Sequence, residues 1–264
     1  MNRITDTVKH LIIINVIMFI GTISIGGGQL FYEWFALYFP KNEAFQPWQV
    51  ITHMFMHAPM PNLMHILFNM FALVSFGSAL EHYWGGKKFL FFYIACGLGA
   101  AFVQTGMNYY QIHQVVNELG LSAQDMKVIF NTPLSDVFNS SGQSTGKVSQ
   151  ILNQVNCTQA QFDKLSQIYG SCVGASGAIY GLLVAFAYMF PMAELMMMFI
   201  PVPIKAKFFV PIIVGLDLFS GVTGFSIFSG GGNIAHFAHI GGALTGFILM
   251  MLWRKNKFTH TRWN

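Results

Sequence analysis

Two short glycine-containing stretches of the sequence carry residues that can hydrolyse a covalent bond. Residues 174–177 read Gly-Ala-Ser-Gly and contain Ser176, and His239 lies two residues before a Gly-Gly pair. A serine hydroxyl is a weak nucleophile until a neighbouring base removes its proton. Imidazole is suited to that task because its pKa lies near neutral pH. The two residues therefore have the chemistry of a serine hydrolase, provided that the fold brings them together.

The composition indicates that a lipid bilayer surrounds the elements that position these residues. Charged residues make up 9% of the 264 residues and hydrophobic residues 54%. A soluble domain of this composition would expose far too much apolar surface. Six stretches are apolar and near the roughly 17–25 residues needed to cross a bilayer. They predict an all-α polytopic membrane protein, with spans at about 11–28, 62–80, 89–107, 174–193, 208–227 and 235–253.

The basic residues indicate how these spans are oriented. Ten of the 14 Lys and Arg residues lie on one side of the predicted spans, in short segments: Arg3, Lys9, Lys87, Lys88, Lys205, Lys207, Arg254, Lys255, Lys257 and Arg262. Cytoplasmic loops carry such an excess, so we expect both termini in the cytoplasm. A bacterial inner membrane is the expected location. The net charge of +4 is small and dispersed, so no nucleic-acid partner is expected.

Four polar residues on three different spans are predicted to lie at one depth. Ser176 and His239 each lie fifteen residues from the inner end of their spans, while His65 and Asn69 lie sixteen and twelve residues from the end of span two. At about 1.5 Å rise per residue, all four lie roughly 18–24 Å above the cytoplasmic boundary. Polar groups inside a membrane are costly, which makes them candidates for a functional site.

Two pairs of glycines provide a way for these spans to meet. Gly177 and Gly181 in span four and Gly242 and Gly246 in span six are each separated by three residues. This spacing lets helix backbones approach closely. Because each pair begins within three residues of Ser176 or His239, close packing would bring the hydroxyl within reach of the imidazole.

These motifs together resemble those of the rhomboid family of intramembrane serine proteases. Gly-Ala-Ser-Gly followed by Tyr180, Ala-His-Ile-Gly-Gly around His239, and His65-x-x-x-Asn69 occur in the order and in the spans that the family has. The resemblance covers roughly residues 10–105 and 170–253. It implies a six-helix rhomboid core whose substrates are transmembrane proteins.

The resemblance also implies a role for each motif residue. Ser176 would be the nucleophile, and His239 the general base and later the acid. His65, Asn69 and the Ser176 amide would stabilise the oxyanion, and the Tyr180 ring would pack against His239. Gly174, Gly177 and Gly242 are expected to serve packing and orientation. Neither a cofactor nor a metal is expected.

The sequence departs from the family pattern in two places. Many relatives carry Trp-Arg in the first outer loop, whereas Trp48 is followed here by Gln49. The segment 108–172 is much longer than the usual connection between spans three and four. We expect it to be an outer helical insertion within a single membrane domain, residues 1–264. Ser122 and Thr158 are predicted to begin helices within it.

Several alternatives to this interpretation follow from the same residues. Asp217, the single carboxylate in any span, would complete a Ser-His-Asp triad or, as we expect, accept a hydrogen bond within span five. His53 with His57 and His236 with His239 have metal-ligand spacing, but a catalytic zinc needs a third ligand and a base, and no His-Glu-x-x-His motif occurs. A catalytically silent rhomboid-like binder or chaperone of membrane proteins is the non-enzymatic alternative.

The three cysteines give one further expectation. Cys157 and Cys172 are both predicted on the outer side, where disulfides form, while Cys96 lies within span three. We therefore predict a Cys157–Cys172 disulfide that anchors the insertion next to Ser176.

Overall fold

The computed structural model of the chain describes residues 4–59, 63–137, 146–197, 200–224 and 235–254. Within these ranges the protein is mainly helical, as predicted. Its helices are α1 (Asp6–Ser24), α2 (Gln29–Phe35), α3 (Gln49–Thr52), α4 (Leu63–Ala72), α5 (Ser78–Trp84), α6 (Gly86–Leu119), α7 (Ala123–Asn131), α8 (Leu134–Val137), α9 (Gly146–Gln154), α10 (Gln159–Leu165), α11 (Ser176–Met189), α12 (Ala206–Thr223) and α13 (His236–Arg254).

Two short antiparallel strand pairs accompany the helices. Strand β1 (Leu37–Tyr38) in the first outer loop pairs with β2 (Ser171–Cys172), which comes shortly before α11. Strands β3 (Glu194–Met197) and β4 (Ile200–Lys205) form a hairpin between α11 and α12. The sequence analysis did not predict this hairpin.

Five helical segments within the described residues are long and apolar enough to cross a membrane. These are α1, the segment from α4 through a π-helical stretch (Leu73–Gly77) to α5, α6, α12 and α13. The sixth apolar helix, α11, has only 14 residues. The all-α polytopic architecture is confirmed, and the protein is a multi-pass integral membrane protein.

The spans α1 and α6 each extend beyond a predicted end by several residues. Helix α1 begins at Asp6 rather than near residue 11, and α6 continues to Leu119 rather than ending near residue 107. Helix α6 extends because Ile112 and Val115 are buried against the insertion, beyond the apolar run. It ends at Gly120, whose φ of 62° lies in the left-handed region that glycine tolerates.

The membrane core forms where α6, α11 and α13 pack together. Large apolar side chains of α6 and α11 are fully buried there, among them Phe89, Phe92, Tyr93 and Leu182. The opposite faces of the spans expose large apolar side chains, as contact with lipid requires: Ile17, Phe71, Phe102, Phe219 and Leu252.

A buried carboxylate ties the first two spans together. The side chain of Glu81, in α5 near the C-terminal end of span two, accepts hydrogen bonds from the Thr5 hydroxyl at 2.5 Å and from the Thr7 and Val8 amides at 2.9 Å. These amides belong to the first turn of α1, where unpaired N–H groups and the helix dipole favour an anion. The contact fixes the N-terminal end of α1 beside α5.

Gln49 holds the first outer loop in its fold. Its side chain is fully buried. The amide Nε2 donates to the carbonyl oxygens of Glu33 at 2.9 Å and Ala44 at 3.0 Å, and Oε1 accepts from the Gln46 amide at 3.0 Å. The residue that departs from the Trp-Arg pattern therefore satisfies three backbone groups of the loop.

The segment 108–172 has a hydrophobic cluster of its own, separate from the membrane core. Ser122 and Thr158 each accept a hydrogen bond from a backbone amide three residues later, in complete capping boxes, so both predicted helix starts are confirmed. The cluster includes Phe39 of the first outer loop, which joins the two segments. Its other members include Ile112, Val115, Ile129, Val148, Leu152, Leu165 and Ile168.

The predicted disulfide between Cys157 and Cys172 is wrong for this structure, because both residues are free thiols. Cys157 follows α9, and its thiol donates to the Thr158 carbonyl at 3.5 Å. Cys172 is held in β2, opposite Leu37 of β1. The strand pair thus anchors this end of the insertion without a covalent link. Burial raises the pKa of the Cys172 thiol to about 11.

We predict that Gln49→Leu destabilises the protein, because it leaves buried carbonyl and amide groups of the loop without partners. Loss of these hydrogen bonds should cost about 2–4 kcal/mol of unfolding free energy. Thermal unfolding in detergent measures the effect. Gln29→Ala is the control, since among the described residues the Gln29 side chain bonds only to Glu33, at an exposed position, and should matter little. Equal stability of the two variants would contradict the role of Gln49.

Candidate active site

Ser176 lies at the end of a helix that is too short to cross the bilayer. It is the first residue of α11, whose 14 residues span about 21 Å, compared with a hydrocarbon core of about 30 Å. The preceding turn depends on Gly174, whose φ of 128° is one that side chains rarely adopt. Its amide donates to the His53 carbonyl at 2.9 Å. Ser176 therefore begins a helix that covers only part of the membrane thickness.

The backbones of α11 and α13 touch at the predicted glycines. A methyl group added to Gly242 would overlap the carbonyl oxygen of Gly177. One added to Gly246 would lie 2.7 Å from the Cα atom of Gly181. Neither position has room for a side chain, which is how the spacing of small residues acts between membrane helices.

This contact brings Ser176 and His239 together. The Nε2 atom of His239 lies 2.9 Å from the Ser176 hydroxyl oxygen. The Tyr180 ring stacks on the imidazole, with the ring centroids 4.2 Å apart and the planes 8° from parallel. The side chain that takes part in the hydrogen bond therefore lies against a flat apolar surface that restricts its rotation.

Asp217 contacts this pair from α12, contrary to the expectation of a hydrogen bond within its own helix. Its Oδ1 atom lies 3.2 Å from Nδ1 of His239 and 2.5 Å from Nδ1 of His236. The Tyr180 hydroxyl donates to its other oxygen. The expectation failed because the carboxylate points between the spans, where three donors from α11 and α13 meet.

His65 presents a hydrogen-bond donor to the same region. The Ala58 amide donates to its Nδ1 atom at 3.0 Å, so the neutral ring carries its proton on Nε2. That atom faces the Gly174 backbone, since a methyl on Gly174 would lie 3.2 Å from it. The Nε2–H group is therefore directed at the turn that leads to Ser176.

Asn69 is near the site but is turned toward its own helix. Its amide nitrogen donates to the His65 carbonyl at 2.6 Å, and its buried Oδ1 atom has no partner among the described residues. Within this part of the chain it makes no hydrogen bond to Ser176 or His239. It would have to rotate in order to donate to a group at Ser176.

The sequence analysis missed the support behind His65. His57, which it considered only as a metal ligand, is fully buried and packs its ring edge against His65, with centroids 5.3 Å apart. Burial lowers the pKa of His57 to about 3, which keeps the ring neutral. Its Nε2 atom lies 2.8 Å from the side-chain oxygen of Asn15 in α1. An asparagine within an apolar span was the signal that could have identified this contact.

Asp217, His236 and His239 also offer three metal-ligand atoms within 4.8 Å of one another. Ligands of one tetrahedral zinc ion lie roughly 3.3 Å apart, given Zn–N and Zn–O bonds of about 2.0–2.2 Å. His236 is closer to the carboxylate than that, at a hydrogen-bond distance. The free nitrogen of His239 faces Ser176. The group is thus explained by hydrogen bonds from two histidines to one carboxylate.

The fold and the site define a multi-pass membrane protein with a Ser–His pair inside its helical core. The family description "Rhomboid domain" matches residues 44–124 and 147–256, which together make up most of the chain. The chain belongs to the rhomboid family. This family generally consists of intramembrane serine proteases that act on membrane proteins, and it also has inactive members. The unmatched residues 125–146 lie within the insertion.

We predict that Gly242→Ala separates α11 from α13 and lowers any activity that depends on the Ser176–His239 contact. A displacement of about 1 Å can cost roughly 10²-fold in rate, so we expect a loss of that order. Cleavage of a transmembrane peptide measures it. Gly215→Ala in α12 is the matched control, because a methyl there meets nothing within 4 Å. Equal rates for the two variants would show that the glycine contact does not position the pair.

Proposed function

We propose that this protein is an intramembrane serine protease that hydrolyses a peptide bond in or near the transmembrane segment of membrane-protein substrates. The observation that carries the proposal is the 2.9 Å contact between His239 Nε2 and the Ser176 hydroxyl inside a membrane-embedded core. Nucleophile and base are within the distance that proton transfer requires. The membership in the rhomboid family supports the same reaction.

Acylation begins when Ser176 attacks the scissile carbonyl carbon. As the new C–O bond forms, the hydroxyl proton moves to His239 Nε2, and the carbonyl oxygen becomes an oxyanion. His239 then gives this proton to the leaving amine as the C–N bond breaks, which leaves an acyl ester on Ser176. A water molecule, activated by His239 in the same way, hydrolyses the ester and restores the serine.

The oxyanion has donors on two sides. The Ser176 amide is at the N-terminus of α11, where N–H groups are unpaired and the helix dipole favours negative charge. The Nε2–H group of His65 faces the Gly174 turn from span two. Asn69 would add a third donor after a rotation of its side chain. Donors fixed in place before the reaction stabilise the transition state without reorganisation.

A cleft on the outer side offers a route for water. It has a volume of about 330 Å³ and lies between β1, the outer part of α6 and the segment that precedes α11. Polar side chains line it, including Gln104, Asn108 and Ser171, and it ends at Cys172 and Ala235, four residues before Ser176 and His239. Polar groups of this kind can hold the water that hydrolysis needs.

The substrates are expected to carry helix-destabilising residues near the outer membrane face. A peptide bond inside a helix is hydrogen-bonded and shielded, so the chain must unwind before Ser176 can reach the carbonyl. Proline and glycine favour such unwinding. Small side chains beside the scissile bond are expected from the family resemblance.

The location and orientation of the chain form part of the proposal. Lys87 and Lys88 begin α6 and Lys205 and Lys207 flank the start of α12, so these four charges mark one side of the membrane. By the positive-inside rule this side is cytoplasmic, which puts both termini inside and the cleft outside. We propose a bacterial inner membrane as the site of action.

A catalytically silent binder or chaperone of membrane proteins is the second candidate, since the family has inactive members. The retained contact between Ser176 and His239 favours the protease. Binding of a membrane peptide without its cleavage would favour the binder.

We predict that Ser176→Ala and His239→Ala each abolish cleavage of a labelled transmembrane peptide, because nucleophile and base act as one unit. The double variant should be little worse than either single variant. Turnover in liposomes measures the effect, and unchanged thermal unfolding shows that the variants fold. Substantial turnover in Ser176→Ala would contradict the serine mechanism, and inactivation of the unaltered protein by chelators would indicate a metal instead.

We predict that His65→Ala and Asn69→Ala lower kcat and leave KM nearly unchanged, because oxyanion donors act only in the transition state. Loss of one donor typically costs about 10²–10³-fold. Steady-state cleavage of the same peptide separates the two constants. A normal kcat in both variants would mean that His65 and Asn69 only form structural contacts and do not stabilise the oxyanion.

A further inference from the structure

We propose that Asp217 is a positioning residue of the active site, so that the protein works as a Ser176–His239–Asp217 triad contributed by three spans. The carboxylate would hold the His239 imidazole in the orientation that faces Ser176 and stabilise the positive charge that His239 gains. The inference rests on the proposed protease function. It goes beyond the dyad that the family resemblance implies.

The first argument is the tautomer of His239. A carboxylate can only accept hydrogen bonds, so the Nδ1 atom 3.2 Å from Asp217 Oδ1 must carry a proton. In the neutral ring the lone pair then lies on Nε2, which faces the Ser176 hydroxyl. This is the tautomer that a general base needs. A neutral side chain at position 217 would permit the other tautomer, in which Nε2 holds a proton and cannot accept one.

The second argument is the charge that forms during the reaction. His239 becomes an imidazolium when it takes the serine proton, in a site enclosed by protein and lipid. Water stabilises such a charge in solution, but its access here is restricted, so a fixed anion at close range has a larger effect. Asp217 is itself only 8% exposed, which limits the screening of its charge. The same logic applies to the aspartate of soluble triads.

The third argument is that the carboxylate is held in place by other donors. The Tyr180 hydroxyl donates to Oδ2, and His236 Nδ1 donates to Oδ1. The Tyr180 ring also stacks on His239, so one side chain fixes both the imidazole and its partner. These hydrogen bonds leave the aspartate little freedom to turn away from α13.

The titratable groups that face this pair in the described structure come from four helices. They are Asp217 of α12, Tyr180 of α11, His236 beside His239 on α13, and His65 of span two. Asp217 is the only anion among them at neutral pH. Its removal should therefore dominate any change in the pH dependence of the reaction.

Asp217→Asn tests the inference, because it preserves the size of the side chain and removes its charge. We expect kcat to fall about 10²–10⁴-fold, as in soluble triads. We also expect the acid limb of the pH–rate profile to move to lower pH, because the imidazolium loses its neighbouring anion. A merely structural role would not move that limb.

Two further variants distinguish the carboxylate's charge from its packing. Tyr180→Phe keeps the stacked ring but removes one donor from Asp217, which leaves more negative charge for His239. Its acid limb should therefore move to higher pH, opposite to Asp217→Asn. His236→Ala removes the hydrogen bond by which α13 holds Asp217 of α12. The acid limb of this variant should lie at higher pH than that of Asp217→Asn, because the carboxylate is still present. If the acid limbs of His236→Ala and Asp217→Asn lie at the same pH, the aspartate serves only to hold the helices together.

The outcomes separate this inference from the proposed function. Turnover in Ser176→Ala would overturn the protease mechanism itself. Full turnover in Asp217→Asn together with none in Ser176→Ala would overturn only the triad. An unchanged acid limb in a folded Asp217→Asn protein would also overturn it. If that variant does not fold, the Tyr180→Phe profile decides, and a shift to lower pH or no shift contradicts the triad.

Discussion

The close contact between the backbones of α11 and α13 is the constraint on which the site depends. A methyl group on Gly242 would overlap the carbonyl oxygen of Gly177, so the two helices leave no space for a side chain at this point. Association of helices in lipid relies on such packing, because lipid tails compete with apolar side chains. The contact places Ser176 and His239 within hydrogen-bond distance. The imidazole is further held by the Tyr180 ring, which stacks on it, and by Asp217, which contacts its Nδ1 atom. The chemistry therefore follows from a packing requirement.

The short span four explains the position of the site relative to water. A helix of 14 residues leaves about 9 Å of a 30 Å hydrocarbon core to be filled by other parts of the chain. At the Ser176 end of the helix, the first loop and the insertion supply this material. They are joined by the β1–β2 pair and by the cluster around Phe39, and Gln49 fixes the loop from within. Protein segments other than membrane spans thus surround Ser176, while the helices keep their apolar outer faces.

Residue types and spacing predicted the helical fold and the juxtaposition of Ser176 with His239, because depth along a helix and the positions of small residues are properties of the sequence. The direction of a side chain around its helix axis is set by neighbouring helices. This is why Asp217 was expected to bond within its own helix, and why the support of His65 by His57 and Asn15 was not foreseen. The length of α11 and the absence of a Cys157–Cys172 bond likewise depend on packing that spans and cysteine counts do not encode.

The central claim is that Ser176 is an activated nucleophile within the membrane. Treatment of the protein in liposomes with a fluorophosphonate, followed by mass spectrometry of its peptides, tests this directly. The account predicts a single phosphonylated residue, Ser176, at neutral pH, and loss of the adduct in His239→Ala, which has no base to take the proton. Modification of another serine, or an unmodified Ser176 at neutral pH, would contradict the account.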